Sequence, residues 1–570
     1  MNSEEKKINI KFNILAIICI ILFCFAIAPI TLQNDTYYTI KIGELITQNG
    51  IDMQDHFSWH EDLPYTYPHW AYDTGIYLIY HLGEITGIAN GGMLFIYIST
   101  VVLACILGIV IYITNLKISK NNLISFIFTM VAMYLLKDFI AARAQLLTFI
   151  LFMLTILFIE IFLKNNKKRY LLFLIIISII IANVHSAVWP FFFVLFMPYV
   201  AEYLIASILE LNIVSRVILG LKDVKVKKLE KELVKVKNEN KKKLIEEKIL
   251  NAQKDLKLQQ EKEEKIIKAS KEKREKPYKI EIKKNSAVKW LILVMLICAI
   301  TGLLTPLGDT PYTYLIKTMQ GNTTNSISEH QPLTLYNNKY MMIFFTLVIG
   351  ILTFTKTKVT LKDLFMVVGL MYLSFMARRQ TSLFILIVAP IFAKWIANIF
   401  DKYDKDGTKE FVKLVQTWIG KIITLLIVIV CCLAIWIPKK DNKFIDNTKY
   451  PVDASNWILE NLNLEDIRLY NEYNYGSYLL FKGIPVFIDS RADLYAPEFN
   501  KTEEKKGRDI FSDYINTSAI NNYYENKFEE YDITHVIVVK NAKLNMFLSR
   551  NAEYKELYQD DYFIIYERNV

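Results

Sequence analysis

Residues 1–35, MNSEEKKINIKFNILAIICIILFCFAIAPITLQND, determine the class of fold. Three lysines precede an apolar run over 13–32. The run matches the roughly 20 residues that a helix needs to cross a bilayer. It is too long for the apolar core of a secretory signal peptide, and no small-residue cleavage site ends it cleanly. We therefore interpret it as a retained first transmembrane helix whose N-terminus is cytoplasmic.

Ten more apolar runs follow, so the sequence predicts an α-helical polytopic membrane protein with about eleven transmembrane helices. The predicted spans are residues 12–32, 92–114, 122–137, 144–163, 169–183, 187–207, 288–306, 340–355, 358–376, 380–398 and 419–438. Under the positive-inside rule, eleven spans place every lysine-rich connection in the cytoplasm. The tail 439–570 then lies outside the cell membrane.

The charge of the chain is concentrated in one segment. The 570 residues are 53% apolar and carry a formal net charge of +10. Residues 221–284 hold 23 Lys/Arg and 13 Asp/Glu, so the remainder is neutral. This distribution excludes a generally basic nucleic-acid-binding protein and a single soluble globule. The six cysteines all lie in apolar runs without metal-ligand spacing, which indicates small buried hydrophobes.

Four regions follow from these patterns. They are an N-terminal transmembrane module (1–220) containing a first outer loop (33–91), a Lys/Glu-rich helical insertion (221–287), a second transmembrane module (288–438), and an extracytoplasmic α/β domain (439–570). In this C-terminal domain, short apolar runs predict strands at 467–471, 485–489, 534–539 and 562–567. Helices are predicted at 453–461, 475–482 and 541–558.

The insertion lacks glycine over 221–284 and spaces Leu, Ile and Val at helical intervals, with coiled-coil character. Its excess lysines would attract anionic lipid. Two alternatives remain open at this point: a solvated helical insertion that fixes the topology, and a binding site for a cytoplasmic partner.

Several polar residues fall at helix ends on the predicted outer face. They are Asp35, Arg143, Asn183, His185, Glu329, His330, Arg378 and Arg379. The adjacent arginines Arg378 and Arg379 break the positive-inside bias, and charges of this kind at a membrane are functional candidates. Guanidinium groups match phosphate oxygens, and a carboxylate can accept a proton from a hydroxyl. The set therefore predicts a site for a lipid-phosphate substrate.

Each of these residues also has a structural interpretation. Asp35 is equally compatible with a solvated loop residue, and Arg143 or Arg378 with a side chain that reaches bulk lipid phosphates. His185 is compatible with an interhelical histidine. The tyrosines and tryptophans of the first outer loop are compatible with an interfacial aromatic belt.

At these motifs the chain resembles the GT-C superfamily of polytopic glycosyltransferases, which includes protein O-mannosyltransferases, aminoarabinose transferases and oligosaccharyltransferases. It is also similar to a group of bacterial multi-pass membrane proteins of that type. The resemblance covers nearly all of the chain outside 221–284. The segments that carry it are NDTYYTIKIGELITQNGI, DHFSWHEDLPYTYPHWAYD, ARAQLLTF, ANVHS, LTPLGDTPY, SEHQP, ARRQTSLF, YNYGSYLLFKGIPVFIDSRADLY and DDYFIIYER.

The resemblance implies a sugar donor linked to polyprenyl phosphate or diphosphate and used at the outer face. It implies that an acidic residue of the first outer loop, here Asp35, activates the acceptor for an inverting displacement. The donor phosphate would contact Arg378, Arg379, Arg143, His185 and Asn183. The first-loop motif supplies His69, Trp70 and Asp73 as candidate substrate or acceptor contacts.

The chain departs from the group in three places. SEHQP lacks the Trp that commonly follows the Glu, and ANVHS lacks the Gly that commonly follows the His. The first loop lacks the paired Asp-Glu of some GT-C transferases. A second catalytic acid is therefore assigned to either Asp55 or Glu329. The resemblance leaves a divalent metal undetermined, since only some of these enzymes need one, and it implies no other cofactor.

In the tail, the motif IDSRADLY places Asp489, Arg491 and Asp493 just after a predicted strand, where ligands of α/β domains often bind. A sugar or acceptor contact is one interpretation. The other is an Arg–Asp pair that fixes this loop against the membrane domain.

Three functions remain in order of preference. The first is a membrane glycosyltransferase that moves a sugar from the lipid-linked donor to an acceptor. The second is a transporter or flippase of lipid-linked sugars, a class that usually places polar or helix-breaking positions near the bilayer midplane. The third is a non-catalytic scaffold of envelope synthesis. The sugar and the acceptor are not identified by the sequence.

Overall fold

The computed structural model describes residues 3–210, 213–236, 238–276, 279–321, 323–336, 338–404, 406–502, 506–521 and 524–569. The helices of the first half are α1 (Ser3–Ile27), α2 (Asn34–Asn49), α3 (Trp70–Ile85), α4 (Gly91–Ser119), α5 (Asn122–Leu135), α6 (Ala144–Asn165), α7 (Arg169–Val184), α8 (Trp189–Val194), α9 (Met197–Leu209), α10 (Ile213–Lys235) and α11 (Glu239–Glu275).

The helices of the second half are α12 (Val288–Thr301), α13 (Thr310–Gln320), α14 (Thr323–Ser326), α15 (Lys339–Phe354), α16 (Leu361–Met376), α17 (Thr381–Tyr403), α18 (Gly407–Gln416), α19 (Trp418–Trp436), α20 (Val452–Asn461), α21 (Tyr473–Phe481), α22 (Pro497–Asn500), α23 (Ile510–Ala519), α24 (Tyr524–Glu530) and α25 (Lys543–Leu548). The strands are β1 (Ile280–Glu281), β2 (Val359–Thr360), β3 (Leu469–Tyr470), β4 (His535–Val539), β5 (Tyr554–Gln559) and β6 (Phe563–Arg568).

Helical structure occupies each of the eleven predicted apolar segments. Six helical segments among the described residues are long and apolar enough to cross a membrane. They are Lys7–Ile27, Gly91–Ser119, Ala144–Asn165, Ser186–Leu209, Arg378–Tyr403 and Trp418–Lys439. The chain therefore has the helices of a membrane protein. That the remaining five segments also span, and that the N-terminus is cytoplasmic, stay predictions.

The chain forms two compact units. The first unit comprises Met1–Leu195, Leu293–Ile343 and Val367–Val570. Within it, α4 packs against α1, α5, α6 and α17. The residues of α4 that face these neighbours, such as Ala104, Leu107 and Ile111, are fully buried. Burial of this apolar face holds the bundle together.

The C-terminal region of this unit contains a four-stranded sheet in the order β3-β4-β6-β5. β3 is parallel to β4, whereas β6 is antiparallel to both β4 and β5. The sheet shares one hydrophobic core with α2, α3 and the loop between them. Trp59 Nε1 of this loop donates to the carbonyl of Leu469 in β3 at 3.0 Å. The first outer loop and the tail are therefore packed as one body.

Two secondary-structure predictions for the tail were wrong. Residues 485–489 are not a sheet strand: the amide of Val486 donates to the carbonyl of Phe57 at 3.1 Å, and the amide of Phe487 donates to Asn471 Oδ1 at 2.8 Å. The first outer loop and a side chain thus take the hydrogen bonds that a neighbouring strand would make. The predicted helix 541–558 is divided between α25 and β5, because residues 549–553 form the turn between them.

Glycine permits two close approaches in this body. A Cβ on Gly43 of α2 would lie 2.1 Å from the carbonyl oxygen of Asp73 in α3, and one on Gly476 of α21 would lie 2.0 Å from that of Ile488. Both distances are far below van der Waals contact. The absence of a side chain at these positions therefore lets α2 meet α3, and α21 meet the segment before Arg491.

The second unit comprises Phe196–Ile292 and Phe344–Met366. It contains α9, the two long helices α10 and α11, and a short parallel pairing of β1 with β2. α10 and α11 pack against each other along their length as a helical hairpin. The predicted helical insertion thus lies within this unit.

Candidate functional site

Asp35 and Arg143 form an ion pair in the first unit. Asp35 lies in the first turn of α2, and Arg143 directly precedes α6. The Asp35 Oδ2 and Arg143 Nη2 atoms are 2.5 Å apart. The Arg143 side chain is 33% exposed and that of Asp35 18%. The pair is therefore only partly buried, and part of each side chain remains accessible.

Charges around Arg143 are predominantly negative. The Asp35 carboxylate raises the pKa of Arg143 above its usual range, and Glu329 acts in the same direction. Among the described residues, Asp35 makes no hydrogen bond or ion pair besides the one to Arg143. This carboxylate therefore keeps one oxygen free for a further donor.

The segment 329–331 and the Ala-Arg-Arg segment meet through their backbones. The amide of Arg379 donates to the carbonyl of Glu329 at 2.9 Å, and the amide of Arg378 donates to that of Gln331 at 3.0 Å. Arg379 Nη1 donates to His330 Nε2 at 2.8 Å. Burial and the adjacent Arg379 guanidinium lower the pKa of His330 to about 4. His330 is therefore neutral at physiological pH and can accept this hydrogen bond.

Arg378 differs from Arg379. It is half-buried, and its side chain makes no ion pair or hydrogen bond among the described residues. Both residues belong to one short 3-10 turn that begins the helix α17. The turn therefore presents one engaged and one disengaged guanidinium.

His69 and His185 stack edge to face, with ring centroids 4.7 Å apart. His185 Nδ1 lies 3.0 Å from the hydroxyl oxygen of Thr148 in α6. Burial, with smaller contributions from the Arg143 and Arg379 charges, lowers the pKa of His69 to about 3. Both arginine charges therefore act on the histidine pair.

Asn183 and Trp70 contact each other and are partly buried, whereas Asp73 is buried. Asn183 donates to the carbonyls of Ile179 and Leu304 at 2.9 Å each, and it accepts from Trp70 Nε1 at 3.2 Å. Asp73 is fully buried, and burial raises its pKa well above the usual value. The polar atoms of these three residues are thus engaged or enclosed within the fold.

Arg491, Asp489 and Asp55 form a closed cluster. Arg491 Nε and Nη2 donate to the two carboxylate oxygens of Asp489 at 2.9 and 2.6 Å, and Nη1 donates to Asp55 at 2.6 Å. Tyr495 and Ser58 supply further donors to the carboxylates. The three charged side chains are at most 2% exposed. This arrangement favours the interpretation that the cluster joins the first outer loop to the tail.

Asp493 contacts Tyr314 instead of joining that cluster. Its Oδ2 accepts a hydrogen bond of 2.5 Å from the hydroxyl of Tyr314 in α13. Burial raises the pKa of Asp493, while the Tyr314 hydrogen bond and the Arg379 charge partly oppose this shift. Asp493 therefore joins the tail to α13.

Two contributors were missed by sequence reasoning. Tyr314 lies two residues after the segment LTPLGDTPY, and a lone tyrosine carries no distinguishing pattern. Tyr473 begins the motif YNYGSYLLF; its backbone carbonyl accepts from Asn34 Nδ2 at 3.0 Å, and its hydroxyl donates to the Ser490 carbonyl at 3.1 Å. The hydrogen bond to the Tyr473 carbonyl holds Asn34, the residue next to Asp35.

An open cavity of about 740 Å³ begins beside the Asp35 helix. Its walls come from residues 29–34, residues 441–450 and Tyr562, and Asn34 is among them. Most of these side chains are polar. The described residues contain no group of three or more His, Cys, Asp or Glu side chains that could hold a metal ion.

No known protein-family model matches the sequence, and no curated protein matches it. Among solved structures, the chain is similar to the apo form of the Archaeoglobus fulgidus oligosaccharyltransferase, with a TM-score of 0.52. The two share 11% identity over 96% of this chain and 70% of that chain. A second structure of that enzyme, tethered to an acceptor peptide containing the NVT sequon, gives a TM-score of 0.48 and 12% identity over 100% and 74%.

At this identity the similarity establishes the fold. The mostly helical chain with a small C-terminal sheet has a GT-C-like fold, as the resemblance implied.

Proposed function

We propose that this protein is a membrane glycosyltransferase that moves a sugar from a polyprenyl-phosphate or -diphosphate donor to an acceptor at the outer face. The observation that carries the proposal is the partly exposed Asp35–Arg143 pair, together with the Arg379 guanidinium, which lowers the pKa of His69 alongside Arg143. A carboxylate and two arginines are the groups that transfer from a lipid phosphate requires. The GT-C-like fold supports this assignment by analogy.

The arginines serve the leaving group. Arg378 has a free guanidinium, and Arg143 and Arg379 each have one partner that a phosphate could replace. Charge-assisted hydrogen bonds from a guanidinium stabilise the negative charge that develops on the departing phosphate. His330 and His69 are neutral at physiological pH, so they add hydrogen-bonding capacity without further charge.

Asp35 serves the acceptor. In the proposed reaction the acceptor hydroxyl transfers its proton to Asp35, and its oxygen forms a bond to the anomeric carbon. The bond from that carbon to the phosphate oxygen breaks, and the electron pair leaves with the phosphate. Attack opposite to the leaving group inverts the configuration. The polar cavity beside Asn34 provides the route for the acceptor.

The ion pair couples the two substrates. A donor phosphate that binds Arg143 competes with Asp35 for the same guanidinium. Once Arg143 turns to the phosphate, both carboxylate oxygens of Asp35 are free to accept a hydrogen bond from the acceptor hydroxyl. Donor binding thus prepares the carboxylate for the acceptor.

The test compares wild type with Asp35→Asn and with Asp138→Asn. Asp138 is 78% exposed and lies five residues before Arg143, so it is a matched carboxylate outside the site. The purified protein in nanodiscs receives polyprenyl-phosphate and polyprenyl-diphosphate hexoses carrying a radiolabelled sugar, with extracted envelope material as acceptor. We expect Asp35→Asn to slow transfer by about 10²–10⁴-fold, the usual contribution of a general base.

Asp35→Asn should still fold and bind the unlabelled polyprenyl phosphate, and Asp138→Asn should retain wild-type turnover. Full transfer by Asp35→Asn would remove the catalytic assignment. Passage of intact donor across a proteoliposome membrane without cleavage would establish the transporter alternative.

A further inference from the structure

The helical hairpin of the second unit has a well-defined interior. The residues of α10 that face α11 include Val226, Leu229 and Leu233, and those of α11 that face α10 include Ile249 and Ala252. Polar contacts follow the same seam: Gln259 donates to Ser215, and Gln253 donates to Glu230. The seam therefore fixes which side of each helix points outward.

The base of the hairpin is held at the end of α9. Glu210 is paired with both Arg274 and Lys284, and the Ser270 hydroxyl donates to the carbonyl of Leu209 at 3.0 Å. α9 belongs to Ser186–Leu209, one of the helical segments long and apolar enough to span. The hairpin consequently starts where that candidate span ends.

The outward side of α10 carries one continuous row of residues. At intervals of three and four along the helix, the row reads Val217, Leu221, Val224, Lys228, Lys231 and Lys235. We call it the α10 row. Val217, Leu221 and Val224 are 55%, 67% and 63% exposed, and the three lysines are exposed as well. Half of the row is thus apolar and half is cationic, and it contains no carboxylate.

The acidic residues of α10 lie off this row. Asp223 is paired with Lys227, and Glu230 accepts from Gln253 of the seam. Glu232 lies about 60° around the helix from the row's centre, on the geometry of 3.6 residues per turn. The α10 row therefore has an unbalanced positive charge along its distal half.

The outward side of α11 is different. At the same intervals of three and four, the row there reads Lys243, Glu247, Leu250, Lys254, Leu258, Glu261, Lys265, Lys268 and Glu272. It contains only two apolar residues, which are not adjacent in the row, and its four lysines are interspersed with three glutamates. Such a row is typical of a helix face in water. The contrast between two helices of one hairpin shows that the α10 row is not simply a consequence of a lysine-rich composition.

We propose that the α10 row docks on the anionic lipid surface of the membrane from which the hairpin emerges. The three apolar side chains are nearest to the end of the candidate span and would enter the boundary between headgroups and acyl chains. The three lysines lie farther along the helix, the last of them about 16 Å beyond Val224, and would contact anionic headgroups. α10 thus lies along the bilayer surface with α11 above it, facing water.

The test uses the full-length protein in nanodiscs of phosphatidylcholine alone or of phosphatidylcholine with about a third phosphatidylglycerol. Amide hydrogen exchange is followed over α10 and α11. We expect exchange in α10 to slow on the anionic lipid by at least about fivefold, the effect of one lysine held at the surface. High salt should reverse this slowing because it screens the attraction.

The variant K228Q/K231Q/K235Q removes the charge of the α10 row, and K254Q/K265Q/K268Q removes the same charge from α11. The first variant should abolish the lipid-dependent slowing, and the second should retain it. Equal exchange of wild-type α10 in both lipids would overturn the proposal. So would an equal loss in both variants, which would indicate unspecific attraction of the whole insertion. Both variants lie outside the proposed glycosyl-transfer site.

Discussion

Arg143 and Arg491 both pair with aspartates of the first outer loop, yet the two environments are opposite. Arg491 is 2% exposed and is held between two carboxylates, Asp55 and Asp489. Arg143 is 33% exposed and has one carboxylate partner, Asp35. The first cluster satisfies its own charges, whereas the second leaves a carboxylate oxygen and a guanidinium edge accessible.

This difference separates a structural ion cluster from a candidate reactive one. A buried charge with complete partners mainly holds segments of the chain in place, because exposing any member costs desolvation and lost hydrogen bonds. A partly exposed pair contributes little to stability, and a ligand can replace its partner at small cost. We therefore expect substitutions in the Arg491 cluster to affect folding and those at the Arg143 pair to affect donor binding.

The largest effect on stability is expected for Arg491→Met. It leaves two buried carboxylates without a cation, which costs about 3–5 kcal/mol of unfolding free energy. Thermal unfolding in detergent, followed by intrinsic fluorescence, measures the loss. Adding Asp55→Asn and Asp489→Asn should restore part of it, because the uncompensated charges are removed. A stability loss no greater than that of Arg143→Met would contradict the comparison.

Arg143→Gln should weaken binding of polyprenyl phosphate by about ten- to a hundredfold, the value of one charge-assisted hydrogen bond. The free energy of unfolding should change by less than about 1 kcal/mol, because the ion pair is partly exposed. Lipid binding is measured by native mass spectrometry with the unglycosylated lipid. Lys137→Gln, a change on the same loop, is the control. An unchanged affinity would place the donor phosphate elsewhere.

Tyr314→Phe tests the contact between α13 and the tail. Without the hydroxyl, the buried Asp493 oxygen loses its donor, which costs about 1–3 kcal/mol. The pKa of Asp493 should rise further, since the lost hydrogen bond had opposed the effect of burial. Stability should therefore decline less steeply in acid than in the wild type. Tyr312→Phe provides the control, and identical melting of the two variants would contradict the assignment.

The smallest effect concerns the pH dependence through His60. This ring is buried against the Phe487 carbonyl at 2.8 Å, and burial lowers its pKa from 6.5 to about 4. Between these values the unfolded histidine binds a proton that the folded one does not, so stability falls as the pH falls. The loss is about 1 kcal/mol near pH 5.5. His60→Gln should reduce the change of the melting temperature between pH 6.5 and pH 4. An unchanged pH dependence would contradict the assignment to His60.

The helices were predictable because long apolar runs have few other stable arrangements in a membrane protein. The conformation of residues 485–489 was not predictable, since an apolar run of five residues fits a strand or any buried extended segment. The candidate site was predictable in its residue types and its position at helix ends. An Arg–Asp pair in the motif IDSRADLY was one of two interpretations of the sequence, and Arg491 does pair with Asp489. The contacts of Arg378 and Arg379 were not predictable, because adjacent arginines have no local feature that distinguishes a free guanidinium from an engaged one.

The sequence by itself determined the apolar helices, the concentration of charge in 221–284 and the collection of polar residues at the helix ends. These features depend on composition and on periodicity over neighbouring residues. The tertiary structure alone decided that Asp35 pairs with Arg143, that Arg491 lies between Asp489 and the distant Asp55, and that Tyr314 contacts Asp493. Apart from Asp489, which is two positions from Arg491, these partners are separated by between 108 and 436 positions along the chain. Whether a charge is satisfied or available depends on burial and on such distant partners, and only packing brings them together.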